Sequence, residues 1–338
     1  MNPAVTNPSL PPLPARRRTF KVLRAALYFA AMPAGNVLIN ALWHRRLSGR
    51  YLPRAIYLET TNCCNARCIM CPHEKLTRPR GHMPWELFTK IVDECATFEG
   101  RGLKIFLHKD GEPLMDPLLF DRIRYAKAKL PRSRVHFNTN AALLDEDQAD
   151  RILQAPLDSI VFSVDGASAE TYERIRAGLD YAAVRRNIER FLELRRARGG
   201  RLHVIMQMVV DRANRHEILA YTQLWGARVD ELVFKPMHNF LVQGTALSGG
   251  DIGTKQGKRC MMPFQVMLFY TNGDVALCCW DYDHAVALGN VKETRLLDLY
   301  NSPAFAAIRA AMRGKRCHGL KPCNVCSQIF GHDGPMWA

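Results

Sequence analysis

"TTNCCNARCIMCP" (residues 60–72) sets four of the chain's eleven cysteines within nine positions, Cys63 to Cys71, directly after the strand-like run "AIYLE" (55–59). Cys64, Cys68 and Cys71 have the spacing C-x3-C-x2-C. Three thiolates on a short loop can hold three irons of a cubane [4Fe-4S] cluster and leave the fourth iron open, whereas a cluster ligated wholly by the chain takes four. Zinc is the alternative, but it favours paired C-x2-C units closing a tetrahedron, and the only nearby fourth ligands are Cys63 and His73. Cys63 reads as a neighbour of the ligands, because adjacent side chains after a strand point to opposite sides.

Outward from this stretch the chain alternates strands with helices. Strand patterns cover 54–59, 102–108, 133–139, 159–164, 202–210 and 231–237, with helical patterns at 84–97, 116–130, 145–154, 168–177, 181–198 and 214–225. Pro84 opens the first helix where its missing donor is harmless, and Asp145 followed by Gln148 is a capping-box arrangement. Six β/α units in succession imply an α/β fold with a parallel sheet, a partial (β/α)6 TIM-like barrel spanning 54–240. The cysteine stretch then lies past the C-terminal end of the first strand, where such barrels place their chemistry. Beyond a Gly- and Lys-rich stretch (244–258), "FQVMLFYTNGDVALCC" reads as a hairpin turning at Asn272-Gly273, and a small C-terminal domain is expected over 255–330.

With 338 residues, 48% of them hydrophobic, the chain can bury a large core, and it has no apolar run of the length that spans a bilayer. Its odd cysteine count, clustered in tight groups, suits metal ligation in a reducing cytoplasm better than a disulfide framework. The net charge of +15 is concentrated at the start: residues 1–54 hold nine Lys or Arg and no Asp or Glu. Residues 1–53 read as a Pro-rich tail and two basic apolar helices. Such helices (16–50) can pack on a barrel, or lie on an anionic membrane surface as a peripheral contact. No interleaved aromatic and basic platform suggests specific nucleic-acid binding.

The order of motifs resembles the radical S-adenosylmethionine (SAM) superfamily. "KDGEPLMDP" (109–117) resembles its Gly-Glu motif, "FNTNAALLDE" (137–146) its TNG segment, and "FSVDGASAETYERIRAG" (162–178) its fourth-strand segment. The resemblance implies that Gly111 and Glu112 bind the methionyl ammonium, that Thr139 and Asn140 belong to the same shell, and that Ser163, Asp165 and Arg176 face the ribose and carboxylate of SAM. Asp110 replaces the first glycine of the usual Gly-Gly-Glu, Ala141 replaces the glycine of TNG, and Met70 stands where many members have an aromatic.

The C-terminal segments around Cys260, Cys278 and "PCNVC" (322–326) resemble the SPASM or twitch auxiliary-cluster domain. That implies one auxiliary [4Fe-4S] cluster on Cys260, Cys278, Cys323 and Cys326, with structural zinc on the same thiolates as the alternative. Cys279 and Cys317 are left spare, and Cys95 belongs to the core.

The resemblance further implies reductive cleavage of SAM to a 5'-deoxyadenosyl radical, fed by an electron donor such as flavodoxin or ferredoxin. The expected reaction is dehydrogenation of a sugar- or aminocyclitol-type small molecule, with an electron passing to the auxiliary cluster. Lys235 and His238 at the end of the sixth strand, and Asp281 beside Cys278, are the candidate catalytic groups, with Asp283 beyond them. His108 and Lys109 face the same end and suit an anionic substrate. Two other classes remain: modification of a ribosomally made peptide, and a non-catalytic metal-binding protein.

Overall fold

The computed structural model describes residues 49–100, 102–237, 260–314 and 319–326; the expected N-terminal helices, the 244–258 stretch and His238 lie outside these. Along the chain run β1 (Ala55–Leu58), α1 (Trp85–Ala96), β2 (Lys104–Phe106), α2 (Leu119–Lys129), β3 (Arg134–Thr139), α3 (Glu146–Gln154) and β4 (Ser159–Ser163). Next come α4 (Ala169–Ile175), α5 (Tyr181–Ala197), β5 (His203–Val210), α6 (Ile218–Trp225) and β6 (Glu231–Pro236). After these follow α7 (Met262–Gln265), β7 (Val266–Phe269), β8 (Val275–Ala276), α8 (Leu296–Tyr300) and α9 (Pro303–Arg313).

The sheet order is β6-β5-β4-β3-β2-β1-β7-β8. Every pair from β6 to β7 is parallel, and only β7 with β8 is antiparallel. The six expected strands are therefore sequential neighbours, as the partial TIM-like barrel requires. β7 adds a parallel strand on the free edge of β1, in the register Ala55↔Val266 to Leu58↔Phe269, so the C-terminal hairpin continues the barrel sheet.

Alternation along the strands sorts core from site. Ile105, Leu107, Val135, Phe137, Ile160, Phe162, Val204 and Met206 are buried under the helices. The intervening positions, among them Phe106, His108, Asn138, Gln207 and Lys235, form the inner face, which is far more polar.

Local signals set most helix starts. Asp145 accepts from the Gln148 N–H at 2.7 Å, as the capping-box spacing predicts. The helix predicted from 116 begins instead at Leu119, because Glu112 and Asp116 each stop the chain in a turn. Glu112 caps a short 3-10 turn at Pro113–Met115, and Asp116 accepts from the Leu118 N–H at 3.0 Å while pairing with buried Arg122 at 2.8 Å.

Candidate active site

At the C-terminal end of β1, Asn62 fixes the root of the cysteine loop. Its side chain accepts from the Gly81 N–H at 2.7 Å and donates to the Pro79 carbonyl at 2.9 Å. Its own carbonyl lies 2.8 Å from His73 Nε2, so that buried imidazole is engaged there. The Cys63 thiol is directed at the Gly81 carbonyl, 3.9 Å away. The loop itself is clamped by the end of α4: the Arg67 and Ile69 N–H groups donate to Ala177 and Ile175 carbonyls at 2.8 and 3.0 Å. Cys64, Cys68 and Cys71 remain partly exposed. Burial pushes the Cys64 thiol up to about 11 and Cys71 to about 12, and it raises Cys68 against the pull of the Arg176 guanidinium. Iron would therefore have to displace protons on binding.

The segment after β2 lies directly on this loop. A Cβ at Gly111 would come within 2.4 Å of the Thr61 carbonyl oxygen and 2.8 Å of that of Cys63, so only glycine allows the approach. The Glu112 N–H then donates to the Cys63 carbonyl at 2.8 Å. Its buried carboxylate accepts from Thr139 Oγ1 at 2.6 Å, the Asn140 N–H at 2.8 Å and the Leu114 N–H at 3.1 Å. These occupy three of about four acceptor positions, leaving one for a further donor. Asn140 Nδ2 reaches back to Asn65 Oδ1 at 2.8 Å. Ala141, where the family has glycine, keeps the left-handed backbone with φ 60°.

Arg176 closes the far side. Its Nε donates to Asp165 Oδ2 at 2.7 Å, and Asp165 Oδ1 accepts from the Val209 N–H at 2.7 Å. Asp165 is fully buried, so it holds Arg176 in place. Burial opposes the guanidinium charge, but the carboxylate and the neighbouring Cys68 outweigh it. Ser163, at the end of β4, is buried in register with Gln207. Hydrogen bonds and close backbone packing thus join the cysteine loop, Gly111, Glu112 and Asn140 into one constellation, with Asp165 and Arg176 bordering Cys68.

The C-terminal thiols converge as well. Cys260, Cys278, Cys323 and Cys326 line one enclosed cavity with Met262, Leu277, Trp280 and Met312. Four thiols around one cavity are a donor set that suits an iron-sulfur cluster. Buried Arg309 pins α9 to α7 by donating to the Pro263 carbonyl at 2.8 Å, its guanidinium 4.3 Å from the ring centres of Tyr51 and Tyr300.

Residues 58–223 match the family model of the radical SAM superfamily, and 260–327 match SPASM, an iron-sulfur cluster-binding domain. The chain belongs to the radical SAM superfamily. It is 31% identical over 110 residues to the tungsten-containing aldehyde ferredoxin oxidoreductase cofactor-modifying protein of Pyrococcus furiosus, a match covering 32% of this chain and 30% of that protein. The chain thus spans about a third of the length of the first curated relatives it matches, 30% and 34%. A longer match, 21% identical over 278 residues, covers 81% of the chain and 92% of the SAM-dependent 2-deoxy-scyllo-inosamine dehydrogenase of Niallia circulans. The crystal structure of Streptococcus suis SuiB bound to SAM shares the fold, with TM-score 0.64, 14% identity, and coverage of 93% of this chain and 83% of that one. The cofactors are those of the family: a SAM-binding [4Fe-4S] cluster, SAM, and auxiliary iron-sulfur binding in the C-terminal domain.

In this radical SAM chain the expected acidic catalytic groups have other partners. Asp281 is 1% exposed, and its oxygens accept from the Leu277 and Ala285 N–H groups at 3.2 and 2.8 Å. Asp283 accepts from the Thr77 N–H and hydroxyl at 2.9 and 2.8 Å. Both carboxylates tie down loops. The barrel mouth contains instead an ionic network that the sequence did not announce. Arg78 forks onto fully buried Glu59 at 2.7 and 2.9 Å and reaches Asp110 at 3.0 Å, while Lys109 pairs with the same Asp110. Arg78 also lies 3.9 Å over the Tyr270 ring. Burial pushes the Asp110 carboxyl up to about 7 against the pull of Lys109.

Cys279, left spare by the ligand assignment, feels the charges of this network. Burial pushes its thiol up to about 12, and the Lys109 and Lys235 ammonium groups oppose the shift. Lys235 itself is lowered by burial. No local signal marks Glu59 or Arg78, which meet Asp110 only through the fold.

Proposed function

We propose that this radical SAM enzyme dehydrogenates a small polyol of the sugar or aminocyclitol class, with an auxiliary [4Fe-4S] cluster as electron acceptor. The observation that supports it most is the cavity lined by Cys260, Cys278, Cys323 and Cys326, a donor set that suits a cluster ligated wholly by the chain, next to a strand bonded directly to β1. Full-length likeness to an aminocyclitol dehydrogenase points the same way.

Bound at an open-site cluster, SAM supplies a 5'-deoxyadenosyl radical that removes hydrogen from an unactivated C–H bond. Cys64, Cys68 and Cys71 would ligate that cluster. Glu112 has one acceptor position left for the methionyl ammonium, Gly111 lets its backbone approach, and Asn140 fixes the shell. Arg176, oriented by Asp165, would offer its remaining N–H groups to the SAM carboxylate, and Ser163, at the end of β4, would face the ribose. Cys260, Cys278, Cys323 and Cys326 leave no open ligand position, which suits electron transfer over substrate binding. Asp110, whose carboxyl is raised by burial against the pull of Lys109 and Arg78, is the barrel-mouth carboxylate assigned to receive the hydroxyl proton, and Asp281 keeps a positioning role.

Reductant comes from a small donor protein such as flavodoxin or ferredoxin. No helix among the described residues is long and apolar enough to cross a membrane, and the thiol chemistry fits the cytoplasm.

The test is anaerobic turnover with a panel of aminocyclitols and sugars deuterated at carbinol carbons. Deuterium in 5'-deoxyadenosine together with a ketone product is expected. Deuterated deoxyadenosine with a redox-neutral product would remove the electron-accepting role, and a panel wholly inert beside an active peptide substrate would replace the substrate class.

A further inference from the structure

Among the described residues, three cations at the barrel mouth are matched with carboxylates and Lys235 is not. Lys109 pairs with Asp110, Arg78 with Glu59 and Asp110, and Arg176 with Asp165. Lys235 is half-buried on the inner row of β6, and no carboxylate or other acceptor among the described residues pairs with it. Glu231, on the same row but at the opposite end of the strand, is turned to His203 at 3.3 Å. Enclosing an ammonium without a counter-charge is expensive, which points to a partner arriving from outside.

The groups near Lys235 are donors too. His108, two residues past β2 on the same inner face, accepts the Asn138 N–H at Nδ1 (3.3 Å), which leaves its hydrogen on Nε2. The ring stands edge-on to Tyr57 and Phe106, each 5.8 Å away, and burial with the nearby Lys235 charge pushes it down to about 3, so it stays neutral. Lys235 on β6 and His108 just past β2 both lie on the inner face toward the C-terminal ends of their strands, and His108 feels the Lys235 charge. Lys235 and His108 thus both bring N–H donors to the inner face, and no carboxylate among the described residues is paired with Lys235.

We propose that Lys235 and His108 recognise an oxyanion on the substrate, a phosphate ester or a carboxylate, with Lys235 as counter-ion and His108 Nε2–H as the neutral second donor. This rests on the reading that a small polyol enters the barrel mouth, and it narrows that class to acidic or phosphorylated members.

The reconstituted full chain is titrated with inorganic phosphate and, in parallel, acetate, followed by calorimetry on native, Lys235→Arg and Lys235→Met proteins matched for iron content. Native and Lys235→Arg should bind one of the two anions, and Lys235→Met should bind it roughly tenfold more weakly. Phosphate alone would identify a phosphate ester and acetate alone a carboxylate. Equal binding by native and Lys235→Met, or none by native, overturns the proposal. Should Lys235→Met not hold its iron, His108→Phe carries the same comparison. This readout needs no turnover, so its failure leaves the dehydrogenase reading intact. Anion binding at Lys235 with a polyol panel inert even in its acidic and phosphorylated members would instead condemn that reading.

Discussion

The loop bearing Cys64, Cys68 and Cys71 gathers its thiols within eight residues and keeps all three partly exposed, whereas Cys260, Cys278, Cys323 and Cys326 come from three separated segments around an enclosed cavity. The first set offers three thiols beside polar partners, Glu112, Asn140 and Arg176. The second offers four, walled by Met262, Leu277, Trp280 and Met312. Openness is thus a local property, set by spacing on one loop. Closure is a tertiary one, built from distant segments, with α9 held to α7 by the Arg309 bond to the Pro263 carbonyl.

The sharpest way to break this contrast is to remove each set in turn. Native protein reconstituted without oxygen should hold about eight irons, and either a Cys64→Ala, Cys68→Ala, Cys71→Ala variant or a Cys323→Ala, Cys326→Ala variant about four. Deoxyadenosine should vanish with the first variant and persist without ketone product in the second. Iron near eight in the double variant would show that those two thiols are not ligands.

A smaller effect separates support from ligation. Asp165→Ala leaves the Arg176 guanidinium without its buried partner, and stability to urea should fall by about 3–5 kcal/mol, the range for breaking buried pairs. An unchanged midpoint would mean that Arg176 finds another acceptor. Smallest of all is Ala141→Gly. The alanine sits at φ 60°, and releasing that strain against the entropy of glycine should raise stability by about 0.5 kcal/mol. A loss of stability would show that its buried methyl packs better than the backbone strain costs.

The same contrast governs what could be read in advance. Periodicity and caps marked the six strands and most helices, because Asp145 and the alternation of β3 act within a few residues. The triplet and the Gly-Glu segment were legible for the same reason. The helix expected at 116 started three residues late, since Asp116 turned inward to Arg122. Glu59, Arg78 and Asp110 were not legible as a unit, nor was the place of Cys279 against Lys109 and Lys235. Those groupings depend on β7 docking beside β1, which no local pattern encodes. Asp281 looked chemical beside a ligand cysteine, yet its neighbours are backbone N–H groups.

The β1–β7 ladder joins segments roughly two hundred residues apart, the kind of non-local pairing that forms late. During synthesis β1 has an unpaired edge until the hairpin leaves the ribosome, and an exposed edge is a template for wrong partners. Iron delivered to the first loop before the hairpin folds would meet a barrel not yet closed on that side. The spacing between the two iron-sulfur sites is fixed only when the last strands arrive.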